Sequence, residues 1–251
     1  MGDEAITIYD DVVIKTGVPD LMRIEVEKTR RAHKISKQCG LFRVPKVLDF
    51  DESKGIAKFE FVRDIQTLRE VIGAGSSVDS FMDKFGQSLA VIHRLLTLPD
   101  GMRVPLPKDY CLAGTEVFFH GDLGLRNICV NANDPQVVLL DWRTSIKLCE
   151  SASYGSRYFD LMWFVYNLFY RPINRTRYRS SIPAAPLAET FLRAYFRTTD
   201  YGYDHLEFAC YMKRFLDLKI SERKNGGHFK RRLLLVPSHV KLRRFIASFH
   251  L

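Results

Sequence analysis

The sequence of 251 residues lacks the features that mark disulfide-stapled, zinc-bound or membrane-spanning folds. Its five cysteines are widely separated and never in C-x-x-C spacing, which argues against a disulfide framework and a zinc site. The longest strongly apolar run, at 161–170, is too short to cross a bilayer and is interrupted by Asn167. No charged segment followed by a long apolar run opens the chain. These absences predict a soluble cytoplasmic protein with reduced thiols.

The positive charge is concentrated in the last third of the chain. Of a formal net charge of +9, residues 171–251 hold 17 Lys/Arg against 6 Asp/Glu, so residues 1–170 are slightly acidic overall. Such a field attracts anions, although a solvated helical face is an alternative interpretation. Residues 239–251 predict an amphipathic helix, either packed with its apolar side buried or lying on a membrane surface or a partner.

Strand patterns occupy roughly the first sixty residues, and helical patterns occupy most of the remainder. A β-branched hairpin is predicted around Asp10-Asp11 and ends on Lys15, with a charged helix after it from about Pro19 to Cys39. Further strands are predicted at 44–50, 56–62, 128–130 and 137–140, and helices at 81–96, 159–170, 187–197 and 204–224. No internal repeat is present. An apolar content of 46% is enough for a substantial core.

The strands predicted at 128–130 and 137–140 form a second hairpin with its turn at 131–135, and three oxygen-bearing side chains are predicted to converge around it. Asp122 and Asn127 lie on the loop before it, in the segment HGDLGLRN at 120–127, and Asp141 follows its returning strand. Carboxylate and amide oxygens suit Mg²⁺, which also takes phosphate oxygens and keeps some waters. Phosphoryl transfer uses such a metal together with a separate aspartate that orients the attacking hydroxyl. The cluster therefore indicates a metal–phosphate site.

The pattern H-G-D-x-x-x-x-N, a strand pair and then D-W resembles the catalytic signature of the aminoglycoside phosphotransferase and choline kinase family, distant relatives of protein kinases. Other segments resemble the family in the same order, namely VIK at 13–15, EVEK at 25–28, VPKVL at 44–48, LAVIHRL at 89–95 and RYFDL at 157–161. The resemblance implies an α+β, bilobal, protein-kinase-like fold. Its small, shortened, β-rich N-terminal lobe would span residues 1–62, and its mainly helical C-terminal lobe residues 63–251.

The same resemblance implies roles for individual residues. Asp122 would be the catalytic aspartate, and Asn127 and Asp141 the Mg²⁺ ligands. Lys15 would hold the nucleotide phosphates, paired with a glutamate of the following helix. Glu25 and Glu27 lie about 200° apart around that helix, so only one can face the lysine. The second glutamate of the family's E-x-E-K pattern falls on Glu27, which is the predicted partner.

Two further residues of the signature are predicted to be structural. His120 and Asp160 would hold the backbone of the catalytic loop, as in kinases generally. His93, at helical spacing from Leu89, is predicted to be a packed, hydrogen-bonded histidine without a chemical role.

The resemblance also implies an ATP-dependent kinase that acts on an alcohol group. Backbone groups of Glu60 and Val62, between the lobes, would contact the adenine. The basic C-terminal third favours a neutral or anionic small-molecule acceptor, such as a sugar or a lipid-linked metabolite, over a polycation. For a kinase of this kind, nucleic acid is not the expected partner. Peripheral contact with an acidic membrane surface stays open. No sequence pattern indicates an oligomeric state.

One departure from the family supports a different class of function. Only one strand precedes that of Lys15, and no Gly-rich segment lies there to cover nucleotide phosphates. A pseudokinase, or another interaction protein of kinase fold with a basic docking surface, is therefore the alternative to an active kinase.

Overall fold

The predicted first hairpin forms around an acidic turn. Strand β1 (Ala5–Tyr9) pairs antiparallel with β2 (Val12–Thr16). Asp10 takes a φ of 43° in the turn, a left-handed conformation that Asp adopts more readily than most residues.

The computed structural model describes residues 5–111, 113–131, 136–145, 149–170, 183–225 and 236–251. Residues 132–135, between the strands predicted at 128–130 and 137–140, and the basic segments 171–182 and 226–235 lie outside the described residues.

The described residues form a strand-rich beginning and a helical remainder, in agreement with the predicted α+β class. The other strands are β3 (Phe42–Arg43), β4 (Val47–Asp51), β5 (Ile56–Glu60), β6 (Ile65–Thr67), β7 (Glu116–Phe118), β8 (Ile128–Asn131), β9 (Val137–Leu139) and β10 (Tyr154–Ser156). The α-helices are α1 (Pro19–Cys39), α2 (Leu68–Gly73), α3 (Asp79–Leu95), α4 (Tyr158–Phe169), α5 (Ala184–Thr198), α6 (His205–Asn225) and α7 (Val236–Ser248).

The first sheet carries Lys15 on an inner strand. Its order is β1-β2-β5-β4, with antiparallel pairing throughout, and Lys15 lies opposite Ala57 of β5. Helix α1 covers this sheet because Met22 and Val26, one turn apart, pack with Ala57 and Phe59. Lys15 is thereby enclosed between the sheet and α1, with only 6% of its surface exposed.

Local sequence sets both ends of α1. Pro19 stands in the first turn, where its missing N–H costs no hydrogen bond. Gly40 ends the helix with a φ of 67° and donates its N–H to Ser36 O, a left-handed cap that glycine adopts without strain.

A second sheet positions the HGDLGLRN loop. Its order is β3-β9-β8-β6, in which β8 and β9 form the predicted hairpin and β3 joins β9 in parallel. Residues 120–127 directly precede β8, and Asp141 follows β9 after Leu140. The Leu140 N–H donates to Asn127 O at 2.9 Å, which fixes the exit of the hairpin against its entrance.

Helices α3, α4, α5, α6 and α7 enclose the main core. Gly86 allows α3 and α5 to approach closely, because a Cβ at this position would lie 2.3 Å from Phe191 O. The apolar side of α7 is buried: Phe245 contacts Phe169 of α4, and Phe249 contacts Phe208 of α6. The interpretation of the C-terminal segment as a packed helix is thus confirmed. No α-helix among the described residues has the length and apolarity of a membrane span.

Candidate active site

The backbone of the predicted catalytic loop, residues 120–127, is held by one buried carboxylate. Asp160, at the start of α4, accepts hydrogen bonds from the N–H groups of His120 at 2.8 Å and Gly121 at 2.9 Å. His93 Nε2 lies 3.2 Å from the same carboxylate. Burial lowers the pKa of His120 to about 4, so its ring stays neutral. The predicted structural roles of His120, Asp160 and His93 agree with these contacts.

The loop requires glycine at its second position. Gly121 has a φ of 96°, and a Cβ there would lie 2.2 Å from Thr144 Oγ1 and 3.0 Å from Thr144 Cα. Any side chain would therefore be strained and would also push away the segment that follows Asp141. Close contact between these two segments brings Asp122 and Asp141 to the same side of the hairpin.

Asp122 is held by three side-chain donors, namely Asn127, Ser145 and Trp163. Asn127 Nδ2 donates to Oδ2 at 2.7 Å, and Trp163 Nε1 of α4 donates to Oδ1 at 2.9 Å. Burial and the nearby Asp141 carboxylate raise the pKa of Asp122 to about 6. A carboxylate with a pKa near this value can accept a proton at neutral pH.

Asp141 occupies a backbone conformation unusual for a residue with a side chain. Its φ is 56°, and its Oδ1 accepts a hydrogen bond from Lys15 Nζ at 2.8 Å. Burial favours the neutral acid, but the Lys15 ammonium outweighs it and keeps the pKa of Asp141 below its usual value. The side chain is 40% exposed, so this ionised carboxylate faces open space beside Lys15.

The structure corrects the predicted partner of Lys15. Glu25, which is 2% exposed, accepts from Lys15 Nζ at 2.8 Å. Glu27 is turned away and pairs instead with Arg31, one turn along α1, at 2.5 Å. The prediction of Glu27 was therefore wrong, although the expectation that only one glutamate could face the lysine was correct. Burial alone would lower the pKa of Lys15, but the carboxylates of Glu25 and Asp141 raise it above its usual value.

Asn127 and Asp141 provide a donor set that fits a magnesium ion. The Asn127 amide directs its Nδ2 toward Asp122 Oδ2, so its Oδ1 is the atom suited to a cation. Asp141 adds an ionised carboxylate. No group of three or more His, Cys, Asp or Glu side chains in the described ranges could hold a metal on its own. Such a two-ligand site suits Mg²⁺ that is completed by phosphate oxygens and water.

The segment predicted to contact adenine follows β5. The Glu60 N–H already donates to Lys46 O at 2.9 Å, and the Glu60 carboxylate pairs with Arg43 at 2.5 Å. These bonds leave the Glu60 carbonyl and the backbone of Val62 as candidates for contact with a base. The Val62 side chain is buried with Cys129 and Val138, beside the hairpin that carries the catalytic loop.

Two residues for which the sequence predicted no role, Lys28 and Trp163, contact the site. Lys28 is fully buried and donates to His120 O at 2.6 Å, and burial lowers its pKa to about 8. Trp163 donates to Asp122 from the first turns of α4. Trp163 lies three residues after Asp160, so both side chains are on one side of α4. This spacing is the only sequence signal that could have indicated the contact of Trp163 with the site.

Comparison with known proteins agrees with this geometry. Residues 102–208 match the model of a phosphotransferase enzyme family, the range that contains the catalytic loop, Asp141 and α4. No curated protein matches the sequence. The match confirms the predicted resemblance and the predicted enzyme class, a phosphotransferase.

Solved structures with the same fold cover almost the whole chain. A choline/ethanolamine kinase family protein from Mesorhizobium loti has 14% identity and a TM-score of 0.57, covering 98% of this chain and 85% of its own. The GDP complex of aminoglycoside 2'-phosphotransferase-IIIa has 11% identity and a TM-score of 0.56, covering 97% and 91%. Amicoumacin kinase hAmiN, in complex with AMP-PNP, Ca²⁺ and Ami, has 11% identity and a TM-score of 0.56, covering 98% and 90%. The chain therefore has the kinase-like fold of these proteins, and its residues 102–208 match the model of the phosphotransferase enzyme family.

Proposed function

We propose that this protein is a small-molecule kinase that transfers the γ-phosphate of ATP to a hydroxyl group. The observation that carries the proposal is the convergence of Lys15 and Asp141 at 2.8 Å, next to the loop on which Asn127 and Asp122 are hydrogen-bonded at 2.7 Å. A cation for phosphates, two metal-binding oxygens and a carboxylate of raised pKa are the components that phosphoryl transfer requires. The non-catalytic alternative gains no support from the family match.

Asp122 is the proposed catalytic base. Its carboxylate receives hydrogen bonds from Asn127, Trp163 and Ser145, which fix it and leave a lone pair for an acceptor hydroxyl. As the hydroxyl oxygen bonds to the γ-phosphorus, the bond from that phosphorus to the β–γ bridging oxygen breaks and ADP leaves. The hydroxyl proton passes to Asp122. General base catalysis of this kind typically contributes about 10²–10⁴-fold to rate.

Lys15, Asn127 and Asp141 are the proposed phosphate and metal residues. When bound, Mg²⁺ neutralises charge on the transferring phosphoryl group. Asn127 Oδ1 and the Asp141 carboxylate would hold it, and Glu25 keeps Lys15 Nζ directed at the same place. Glu25 therefore replaces Glu27 in the proposed nucleotide site. The amicoumacin kinase structure holds a nucleotide analogue with a divalent cation, which supports the pairing of nucleotide and metal.

The proposed contacts with the adenine base come from the segment that follows β5 and joins the two sheets. We assign residues 1–62 to a nucleotide-binding lobe and residues 63–251 to a lobe that carries the catalytic loop and the acceptor region. The Glu60 carbonyl and the Val62 N–H would contact the adenine edge, beside the apolar surface that Val62 forms with Val138.

The proposed acceptor is a neutral or anionic hydroxyl compound. The solved relatives include a choline/ethanolamine kinase family protein and an aminoglycoside phosphotransferase, and choline and aminoglycosides are cations. The excess of 11 positive charges in residues 171–251 would repel such acceptors and attract anionic ones.

An acceptor screen tests the proposal. ATP consumption is measured for the wild type, Asp122→Asn and Asp100→Asn with sugars, sugar phosphates, amino alcohols and aminoglycosides. Asp100 is the control because it is exposed and lies outside the loop. We expect turnover with a neutral or anionic acceptor, its loss in Asp122→Asn with nucleotide affinity retained, and normal turnover in Asp100→Asn. Unchanged turnover in Asp122→Asn would contradict the role of Asp122.

A further inference from the structure

A lysine of α6 is enclosed by aromatic rings. Lys219 Nζ lies 4.5 Å from the ring centroid of Trp163, 5.1 Å from that of Tyr110 and 5.7 Å from that of Phe215. The side chain is 10% exposed. The rings contact one another at their edges, with Trp163 and Phe215 at 89° and 6.2 Å, so they form three walls of one box. Cations bind to such arrangements through the negative faces of the rings.

Polar atoms complete the box around the ammonium. Lys219 Nζ donates to Tyr110 Oη and to Glu222 Oε2, both at 2.9 Å, and Tyr110 Oη donates to the other oxygen of Glu222. Phe215, Lys219 and Glu222 are spaced along one side of α6, so a single helix provides the cation, its counter-ion and one wall. The positive charge of Lys219 is thus balanced inside the box.

The box adjoins the proposed catalytic base. Trp163 presents its face to Lys219 and donates its Nε1–H to Asp122 Oδ1 at 2.9 Å. One indole therefore separates the Lys219 ammonium from the carboxylate that would receive the acceptor hydroxyl. A positive group on an acceptor at Asp122 would be drawn to this aromatic box, but the chain's own ammonium already occupies it.

We propose that Lys219 is a specificity residue that fills a cation-binding box beside Asp122 and thereby excludes acceptors with a positive charge near the reacting hydroxyl. This inference rests on the proposed role of Asp122 and sharpens the acceptor class: the part of the acceptor next to the hydroxyl is uncharged or anionic. Trp163 is the positioning residue that connects the box to the carboxylate. Removal of the lysine side chain would open the box to an external ammonium ion.

Calorimetric titration with tetramethylammonium chloride tests the box directly, with sodium chloride as the salt control. Lys219→Ala opens the box, Lys219→Met keeps it filled without charge, and Lys219→Ala with Trp163→Leu removes its main wall. We expect Lys219→Ala to bind tetramethylammonium at least about tenfold more tightly than the wild type, as a desolvated cation–π contact allows. Lys219→Met and the double variant should show no such gain.

Lys219→Ser is measured in parallel as a second variant that opens the box, because its hydroxyl can hydrogen-bond to water that enters the space and so limits the loss of stability. Equal tetramethylammonium affinity in the wild type and in the folded variant would overturn the inference, as would an equal gain in Lys219→Met. Mg²⁺-dependent nucleotide binding is measured on the same samples. Its absence from the wild type would contradict the proposed kinase function, whereas its presence without a gain in cation binding would overturn only the role of Lys219.

Discussion

Lys15 and Asp141 are joined by an ion pair of 2.8 Å although 126 positions separate them in the sequence. The pair connects an inner strand of the first sheet to the segment that follows β9, so the two halves of the proposed site meet at these two side chains. Glu25 holds the lysine from the other side. The position of the lysine thus depends on one carboxylate from each half.

The two glutamates of α1 should respond differently to the same substitution. Glu25→Gln removes a buried charge that pairs with Lys15, so the lysine would turn wholly to Asp141. We expect kcat/KM for ATP to fall by about tenfold or more, equivalent to about 1.4 kcal/mol. Glu27→Gln, which loses only a half-buried pair with Arg31, should stay within about twofold. Equal effects in initial-rate measurements would contradict the corrected assignment.

This correction shows where the sequence was informative and where it was not. The order of segments predicted the hairpin, α1, the catalytic loop and Asp141, because each depends on local pattern and spacing. The choice between Glu25 and Glu27 depends on how α1 is rotated against the sheet. That rotation is set by Met22 and Val26 packing on Ala57 and Phe59, and is therefore a tertiary property.

Trp163 and Lys28 illustrate the same limit of local pattern. Helical spacing places Trp163 on the side of α4 that carries Asp160. The hydrogen bond from Trp163 Nε1 to the Asp122 carboxylate, however, depends on how α4 packs against the loop in three dimensions. In the sequence, Lys28 is one of many charged residues of α1 and nothing distinguishes it from the exposed ones. In the structure it is fully buried and donates to His120 O. Long-range contacts of this kind leave no periodic signal in one sequence.

The rate of phosphoryl transfer should depend on the ionisation of Asp122. A general base acts when deprotonated, and burial together with Asp141 raises the pKa of Asp122 to about 6. We therefore expect kcat/KM to decrease as the pH falls through about 6. The measurement is initial rate from pH 5 to 8, with circular dichroism at each pH to verify that the fold persists. A rate independent of pH over this range would argue against Asp122 as the base.

Asp160→Ala should destabilise the fold and abolish activity. The substitution leaves the N–H groups of His120 and Gly121 buried without their acceptor. Loss of one partner of a buried charged network typically costs about 3–5 kcal/mol. Chemical denaturation measures the loss, and Asp100→Ala, at an exposed site, should change stability by less than about 0.5 kcal/mol. A cost below about 1 kcal/mol would contradict the structural role of Asp160.

Gly86→Ala should separate α3 from α5. The new methyl group would lie 2.3 Å from Phe191 O and 2.8 Å from the Ala194 Cβ, so one helix must move. Overpacking of this kind costs about 1–3 kcal/mol. Gly101→Ala is the matched control, because a Cβ there meets no atom within 4 Å. Equal melting temperatures for the two variants would show that the helices do not approach as described.

Metal-dependent nucleotide binding tests the central claim most directly. AMP-PNP is titrated calorimetrically into the wild type and Asp141→Ala, each with Mg²⁺ and with EDTA. Because Asp141 and Asn127 are the proposed metal ligands, the wild type should bind at least about tenfold more tightly with Mg²⁺, a difference of about 1.4 kcal/mol, and Asp141→Ala should lose that difference. Binding by the wild type that is absent, or equally tight with and without Mg²⁺, would contradict a metal–phosphate site at these residues.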